Sequence, residues 1–211
     1  MADPTPAQRL EARLVEHGIR DARVLRALRV VPRHRFVPPE VAPHAWEDRA
    51  LRIGHFQTIS QPYVVAFMTE AAGLRAEDRV LEVGTGSGYQ AAVLAELVAD
   101  LATVEIIPEL AESAAAILKD CGYSRVRVRS GDGYHGWPQQ APFDAILVTA
   151  APERVPPPLL EQLAPGGRLV LPVGGEDQTL VRYVRTDAGL VREELMPVRF
   201  VPMTGAAQGP S

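Results

Sequence analysis

The chain has 211 residues, of which 46% are apolar and 23% charged, and its formal net charge is −4. These values are typical of a globular protein of one domain, and the negative balance gives no electrostatic reason to bind nucleic acid or an anionic membrane. Cys121 is the only cysteine and the five histidines lack metal-ligand spacing, which excludes an internal disulfide and argues against a metal site. The first residues lack the basic region and apolar core of a signal peptide. We therefore expect a monomeric, cytoplasmic protein.

The first 45 residues predict a helical cap that precedes a sheet domain. Residues 1–6 are expected to form a loose tail and residues 7–17 a helix, and Asp21 is a plausible N-cap for a second helix that ends near Pro32. Six arginines make this region basic, but acidic residues flank them, so we interpret them as a solvated helix face rather than a nucleic-acid patch. They are Arg20, Arg23, Arg26, Arg29, Arg33 and Arg35.

Strands and helices then alternate along the chain, which predicts an α/β fold with a doubly wound, mostly parallel sheet. The apolar patterns place helices near 60–72, 87–98, 108–120 and 156–164, and strands near 79–83, 101–106, 126–129, 143–149 and 168–173. Gln178–Arg185 and Leu190–Met203 are expected to close the sheet as an antiparallel pair, and residues 205–211 to fray.

A glycine-rich turn follows the apolar run at 79–83. Gly84, Gly86 and Gly88 separate that run from a helical pattern, and such a turn lets a ligand approach the bare backbone. Glu105 lies about 20 residues farther on, where folds of this kind hold a ribose. An ordinary tight turn with a surface glutamate is the alternative. A dinucleotide site would need a third glycine where Tyr89 stands, so the spacing disfavours a nicotinamide-dependent oxidoreductase.

The same turn, with Glu82 two residues before Gly84, resembles motif I of the class I S-adenosylmethionine-dependent methyltransferases. The resemblance implies that Glu82 faces the methionine part of the cofactor and that Glu105 holds the ribose. It therefore implies S-adenosylmethionine as the cofactor and a Rossmann-like fold.

A polar segment, Gln57–Tyr63, precedes the helix predicted near 60–72. If it is extended, Thr58 and Ser60 project to one side, so two hydroxyls face one place. The alternative is that Ser60 or Gln61 only caps the helix, with Pro62 in its first turn.

This segment and the glycine turn together resemble the bacterial protein-L-isoaspartate O-methyltransferases. Further segments carry the resemblance from about residue 8 to 204, at 31–38, 131–137, 141–152 and 163–174. It implies methyl transfer to isoaspartyl or D-aspartyl residues of damaged proteins and peptides, with Ser60 and Thr58 as the catalytic pair. The cofactor-binding residues that it implies are Gln57, Ile59, Glu82, Gly84, Thr85, Gly86, Ser87, Glu105, Ile106, Asp132, Gly133 and Thr149, with Asp132 and Gly133 against the adenine.

The resemblance also suggests how the chain is organised. We expect one methyltransferase domain over residues 1–211, with the cap at about 7–45, a cofactor-binding core at about 60–203 and a tail at 205–211. Phe56 departs from the family, which usually carries Gly or Asn there, so Phe56 either has an ordinary backbone conformation or lines the substrate cleft. Two rivals stay open: a methyltransferase of this fold acting on a small molecule or RNA, and a non-catalytic cofactor-binding subunit.

Overall fold

The computed structural model describes residues 3–208. Its helices are α1 (Pro6–Glu16), α2 (Ala22–Val30), α3 (Pro62–Ala71), α4 (Tyr89–Ala95), α5 (Pro108–Asp120) and α6 (Pro157–Glu161). Its strands are β1 (Leu51–Gly54), β2 (Gln57–Ile59), β3 (Arg79–Val83), β4 (Asp100–Glu105), β5 (Arg127–Ser130), β6 (Phe143–Val148), β7 (Leu163–Val173), β8 (Gln178–Thr186) and β9 (Gly189–Val198). Short 3₁₀ helices occur at Arg33–Phe36, Ala42–His44, Gly133–His135, Pro138–Gln140 and Gly205–Gln208.

The first two helices begin at side-chain caps. Thr5 and Gln8 form a capping box at the start of α1, so the helix begins inside the segment expected to be a tail. Asp21 accepts a hydrogen bond from the N–H of Arg23 at the start of α2, which confirms the predicted N-cap. Both helices bury their leucines, and α2 packs against α3 and α4.

Seven strands form the main sheet, in the order β5-β4-β3-β6-β7-β8-β9. The pairs among β5, β4, β3, β6 and β7 are parallel, whereas β8 and β9 are antiparallel to their neighbours. The predicted α/β fold with a mostly parallel sheet is therefore confirmed. From β3 the chain first adds β4 and β5 on one side and then β6 to β9 on the other. Such a reversal leaves a crevice at the carboxyl ends of the central strands, where this class of sheet binds ligands.

Both faces of the central strands are buried, because helices cover the sheet on each side. Val80 of β3 belongs to the apolar cluster that includes α1 to α4, whereas Leu81 belongs to the cluster that includes α6. Neighbouring residues of a strand point to opposite faces, so one apolar run serves both clusters.

Several predicted boundaries were wrong, and the helix expected near 87–98 spans only Tyr89–Ala95. The last helix ends at Glu161 because β7 already begins at Leu163, and the pairing of β6 with β7 shifts register beside Gly166 and Gly167. Strand β9 ends at Val198, since the main chain of the following segment bonds to the Gln178 side chain and to Ala151 instead of to the main chain of β8. Residues 205–208 form a helical turn instead of fraying, and residues 209–211 lie outside the described range. Within residues 3–208, no helix is long and apolar enough to cross a membrane.

The prediction of a solvated helix face was wrong for one arginine of the cap. Arg23 and Arg29 form surface ion pairs with Asp21 and Glu11, as a solvated face predicts, but Arg33 has no exposed surface.

Candidate active site

A cavity opens at the carboxyl ends of β3, β4 and β6, where the strand order reverses. It brings together residues that are far apart in sequence: the glycine turn, the end of β4, the residue after β6 and the polar segment that contains β2. Twelve predicted site residues line it: Gln57, Thr58, Ile59, Ser60, Gly84, Thr85, Gly86, Ser87, Glu105, Ile106, Gly133 and Thr149.

The glycine turn has a backbone that other residues rarely adopt. Gly84 and Gly86 have φ angles of 96° and 53°, in the left-handed region that favours glycine. A Cβ on Gly84 would lie 2.5 Å from Oγ1 of Thr149, and that hydroxyl donates a hydrogen bond of 2.5 Å to the Gly84 carbonyl. Thr149 therefore holds the turn against the end of β6, and only glycine fits beside it.

Glu105 fastens the other side of the turn. Its Oε2 accepts a hydrogen bond from the Gly86 N–H at 2.8 Å, and its Oε1 accepts one from the Ile107 N–H at 3.0 Å. A carboxylate oxygen has two acceptor sites, so each oxygen keeps one for a ligand. Glu105 is buried at the cavity wall and can hold a pair of hydroxyls there.

Glu82 lies beneath the cavity and is not among its lining residues. It is fully buried, and the Thr103 hydroxyl donates to its Oε2 at 2.5 Å and lies 2.6 Å from the Thr85 hydroxyl. Burial raises the pKa of Glu82 to about 8, and the negative charge of Glu105 adds to this increase while the Thr103 hydrogen bond opposes it. Among the described residues, its Oε1 has no hydrogen-bond partner.

Asp132 follows β5 and makes two main-chain hydrogen bonds. It accepts from the N–H groups of Tyr134 at 2.9 Å and Ala206 at 2.8 Å, so it ties the loop after β5 to the end of the chain. It does not line the cavity, whereas its neighbour Gly133 does. A Cβ on Gly133 would come within 2.4 Å of the Val83 side chain.

The sequence did not identify the segment that covers the cavity. Residues 199–204, which we call the C-terminal strap, leave β9 and cross the end of the sheet, and Val201, Pro202, Met203 and Thr204 line the cavity. Ala151 donates to the Val201 carbonyl and accepts from the Met203 N–H, both at 2.8 Å. Pro202, which lies inside this segment and has no N–H, was the available sequence signal that strand pairing ends here.

A second cavity adjoins the first, and Thr58, Ser60, Thr149 and Val201 line both. The second cavity is open to solvent and also has Arg49 and Arg199 in its wall. Arg49 pairs with Glu47, whereas Arg199 makes no ion pair within residues 3–208. Three residues that carry hydroxyl groups, Thr58, Ser60 and Thr149, thus line both the cavity at the glycine turn and the cavity with cationic side chains.

Ser60 does not cap α3. The position before the helix is Gln61, which makes no capping hydrogen bond, and Asp48 instead accepts from the Tyr63 N–H at 2.8 Å. The capping alternative is therefore wrong, and Ser60 lines both cavities.

The comparisons with known proteins agree with one another. The model of the protein-L-isoaspartate (D-aspartate) O-methyltransferase family matches residues 6–208. A protein-L-isoaspartate O-methyltransferase from Gloeobacter violaceus is 58% identical over 92% of this chain and 96% of its own length. Another from Opitutus terrae is 57% identical over 92% of this chain and 84% of its own.

The chain belongs to the protein-L-isoaspartate (D-aspartate) O-methyltransferase family. The fold supports this conclusion, since a solved protein-L-isoaspartate O-methyltransferase superposes with a TM-score of 0.85 at 30% identity, over 94% of this chain and 66% of that one. A Plasmodium falciparum structure, described as a complex with S-adenosyl-L-homocysteine, superposes with a TM-score of 0.84 at 22% identity and covers 96% and 99% of the two chains. Every predicted site residue lies inside the matched range.

Phe56, where the sequence predicts a departure from the family pattern, does not have an ordinary backbone conformation, and it lines neither of the two cavities. Phe56 has a φ of 57° and its side chain is fully exposed, at 102%. It forms the loop between β1 and β2 with His55, whose φ is 50°. A tight hairpin with a type I′ turn requires two positive φ angles. The geometry of the turn therefore overrides the preference of phenylalanine for a negative φ.

Proposed function

We propose that this protein transfers a methyl group from S-adenosylmethionine to the free carboxylate of L-isoaspartyl and D-aspartyl residues in damaged proteins or peptides. The methyl ester then closes to a succinimide, and hydrolysis of the succinimide returns part of the material to normal aspartate. The observation that supports this best is that Thr58 and Ser60, which carry hydroxyl groups, line both the cofactor cavity and an adjoining cavity that can admit a peptide.

The residues of the cavity at the glycine turn fit S-adenosylmethionine. Glu105 retains one acceptor site on each oxygen for the two ribose hydroxyls, and the bare backbone at Gly84 and Gly86 admits a ligand at close range. Below the cavity, Glu82 has a buried oxygen without a partner among the described residues, and a cationic group bound nearby would favour its ionised form. When bound, S-adenosylmethionine supplies an electrophilic methyl group on a sulfonium sulfur.

Ser60 and Thr58 position the acceptor oxygen. A carboxylate with a pKa near 4 is already ionised at neutral pH, so the protein needs no general base to activate it. We assign Ser60 the role of a hydrogen-bond donor that orients this carboxylate, with Thr58 assisting. Holding reacting atoms in line at about 3–3.5 Å contributes several kcal/mol to the rate enhancement.

The C-terminal strap and Arg199 complete the proposed site. Val201, Pro202 and Met203 present mainly apolar surface over the cavity, which excludes water from the carboxylate. Arg199 lies in the wall of the second cavity, where its positive charge attracts a peptide that carries an additional free carboxylate.

A methyl-transfer assay that compares an isoaspartyl peptide with its normal aspartyl twin tests the proposal. We expect transfer to the isoaspartyl peptide only. Ser60→Ala should lower kcat strongly while the affinity for S-adenosylhomocysteine stays within a few-fold, and Ser124→Ala, at an exposed loop serine, is the matched control. Tight cofactor binding without transfer to the peptide would favour a non-catalytic subunit, and full activity of Ser60→Ala would remove Ser60 from the mechanism.

We further propose that the chain acts as one domain and as a cytoplasmic monomer that does not bind nucleic acid. Its net negative charge supports the last point, and the apolar cluster shared by the cap helices and the sheet supports the first. Light scattering after size exclusion, with and without added RNA, tests the oligomeric state and the absence of binding.

A further inference from the structure

Arg33 is a buried cation that joins the helical cap to the active site. It opens the 3₁₀ helix Arg33–Phe36 and has no exposed surface. Its Nε donates to the Ala45 carbonyl at 2.8 Å, and a terminal nitrogen donates to the Ser60 carbonyl at 2.7 Å. Its guanidinium lies 4.6 Å from the centre of the Tyr89 ring, in the first turn of the helix after the glycine turn. One side chain thus touches the cap, the Ser60 segment and α4.

The burial of Arg33 carries an energetic cost. A guanidinium buried without a bonded carboxylate is destabilising relative to an apolar side chain of similar volume. Among the described residues, neither Nη1 of Arg33 nor the buried hydroxyl of Tyr89 has a partner with good hydrogen-bond geometry, although the two groups are close enough to influence each other. Burial also lowers the pKa of Arg33, against the favourable influence of Tyr89 and Asp48. Because its burial is costly, the Arg33 guanidinium is poorly explained as a contact that only stabilises the fold. Its planar shape allows it to donate to the carbonyls of Ala45 and Ser60 at the same time, which explains why this position is an arginine.

Asp48 anchors the other side of the same segment. Its carboxylate, with a side-chain exposure of 5%, accepts from the side chain of Gln61 at 3.1 Å and from the N–H of Tyr63 at 2.8 Å. Ser60 therefore lies between two charged anchors, one on its own carbonyl and one on the residues that follow. Neither anchor uses the Ser60 hydroxyl, which stays available to a substrate.

We propose that Arg33 is a positioning residue for methyl transfer, which holds the main chain of Ser60 so that its hydroxyl meets the substrate carboxylate. This inference rests on the proposed function, because it assigns Arg33 a role through Ser60. It makes the helical cap part of the catalytic apparatus, since Arg33 comes from the cap and acts on a residue of the cavity wall.

The test compares Arg33→Lys and Arg33→Gln with a matched control, Arg168→Lys. Arg168 is also largely buried and donates to main-chain carbonyls, those of Ala72, Gly73 and Asp144. It also pairs with Asp78, and unlike the Ser60 partner of Arg33, none of its partners lines either cavity. We expect the Arg33 variants to lose roughly ten- to hundredfold in kcat, with KM and the affinity for S-adenosylhomocysteine within about threefold. Hydrogen exchange of segment 57–61 should become faster in them and stay unchanged in Arg168→Lys.

A double variant separates positioning from general stability. If Arg33 acts through Ser60, adding Arg33→Lys to Ser60→Ala should change the residual kcat by less than about threefold, whereas independent effects would multiply. Three results would overturn the inference: an unchanged kcat in folded Arg33 variants, effects of Arg33→Lys and Ser60→Ala that multiply in the double variant, or loss of folding in both Arg33→Lys and Arg33→Gln. If the wild-type protein does not methylate the isoaspartyl peptide, the proposed function fails, and the exchange data alone then decide whether Arg33 holds the Ser60 segment.

Discussion

Replacing Phe56 by glycine should stabilise this protein although it removes a large apolar side chain. Phe56 and His55 form the loop of the β1–β2 hairpin with φ angles of 57° and 50°. A left-handed conformation costs a residue with a Cβ roughly 1–2 kcal/mol, and glycine removes that cost while losing about 0.5–1 kcal/mol through the greater freedom of its unfolded chain. The Phe56 side chain is fully exposed and loses no packing.

The expected net gain for Phe56→Gly is therefore about 0–1.5 kcal/mol with a midpoint of about 0.75 kcal/mol, and the midpoint corresponds to an increase of roughly 1.5–3 °C in Tm for a chain of this size. Phe56→Ala is the matched control, because it removes the ring but keeps the Cβ, and its free energy of unfolding should stay within about 0.5 kcal/mol of the wild type. Chemical denaturation and calorimetry measure both. If glycine destabilised the protein, or alanine stabilised it equally, backbone strain would not be the cause.

Three further predictions concern charged groups of the site. Because the pKa of Glu82 is raised to about 8 in the folded protein, the native state binds an extra proton between about pH 4.5 and pH 8. The free energy of unfolding should therefore fall as the pH rises through this window, by at most about 1.4 kcal/mol per pH unit. Glu82→Gln should abolish that slope in urea unfolding from pH 5 to 8, and identical slopes would contradict the assignment. Glu105→Ala should weaken S-adenosylhomocysteine binding by about 1.5–3 kcal/mol, or roughly ten- to hundredfold; unchanged affinity in calorimetry would show that the ribose is held elsewhere. Arg199→Gln should raise KM for an isoaspartyl peptide several-fold with kcat nearly unchanged, and a KM that does not respond would remove Arg199 from substrate binding.

Two carboxyl groups with lowered pKa values do not contribute to this window. Arg23 lowers the pKa of Asp21, and for Asp100 burial raises the pKa but Arg127 and Arg79 together lower it further, so both groups lose their stabilising effect only as the pH falls through the acidic range. Neither group therefore adds a slope between pH 5 and 8. Asp100 accepts from Arg79 and Arg127 at the amino end of β4, away from the cavity.

Local patterns were sufficient to predict most elements and much of the site. The apolar runs, the three glycines and the spacing to Glu105 are properties of short segments, and the carboxyl ends of parallel strands meet at one edge whatever the loops do. The structure places twelve of the predicted site residues around one cavity. Their individual roles remain predictions until the variants are measured.

The sequence by itself determined the α/β class, the position of the glycine turn and the family, because periodicity and motif spacing are encoded over a few residues. Only the tertiary structure decided that β9 is the edge strand beside β8, that residues 199–204 cover the cavity, and that Arg33 and Asp48 lie on either side of Ser60. These features depend on contacts between segments tens of residues apart. Whether an arginine on a helical cap faces water or the Ser60 carbonyl is settled by packing, and no local pattern reports it.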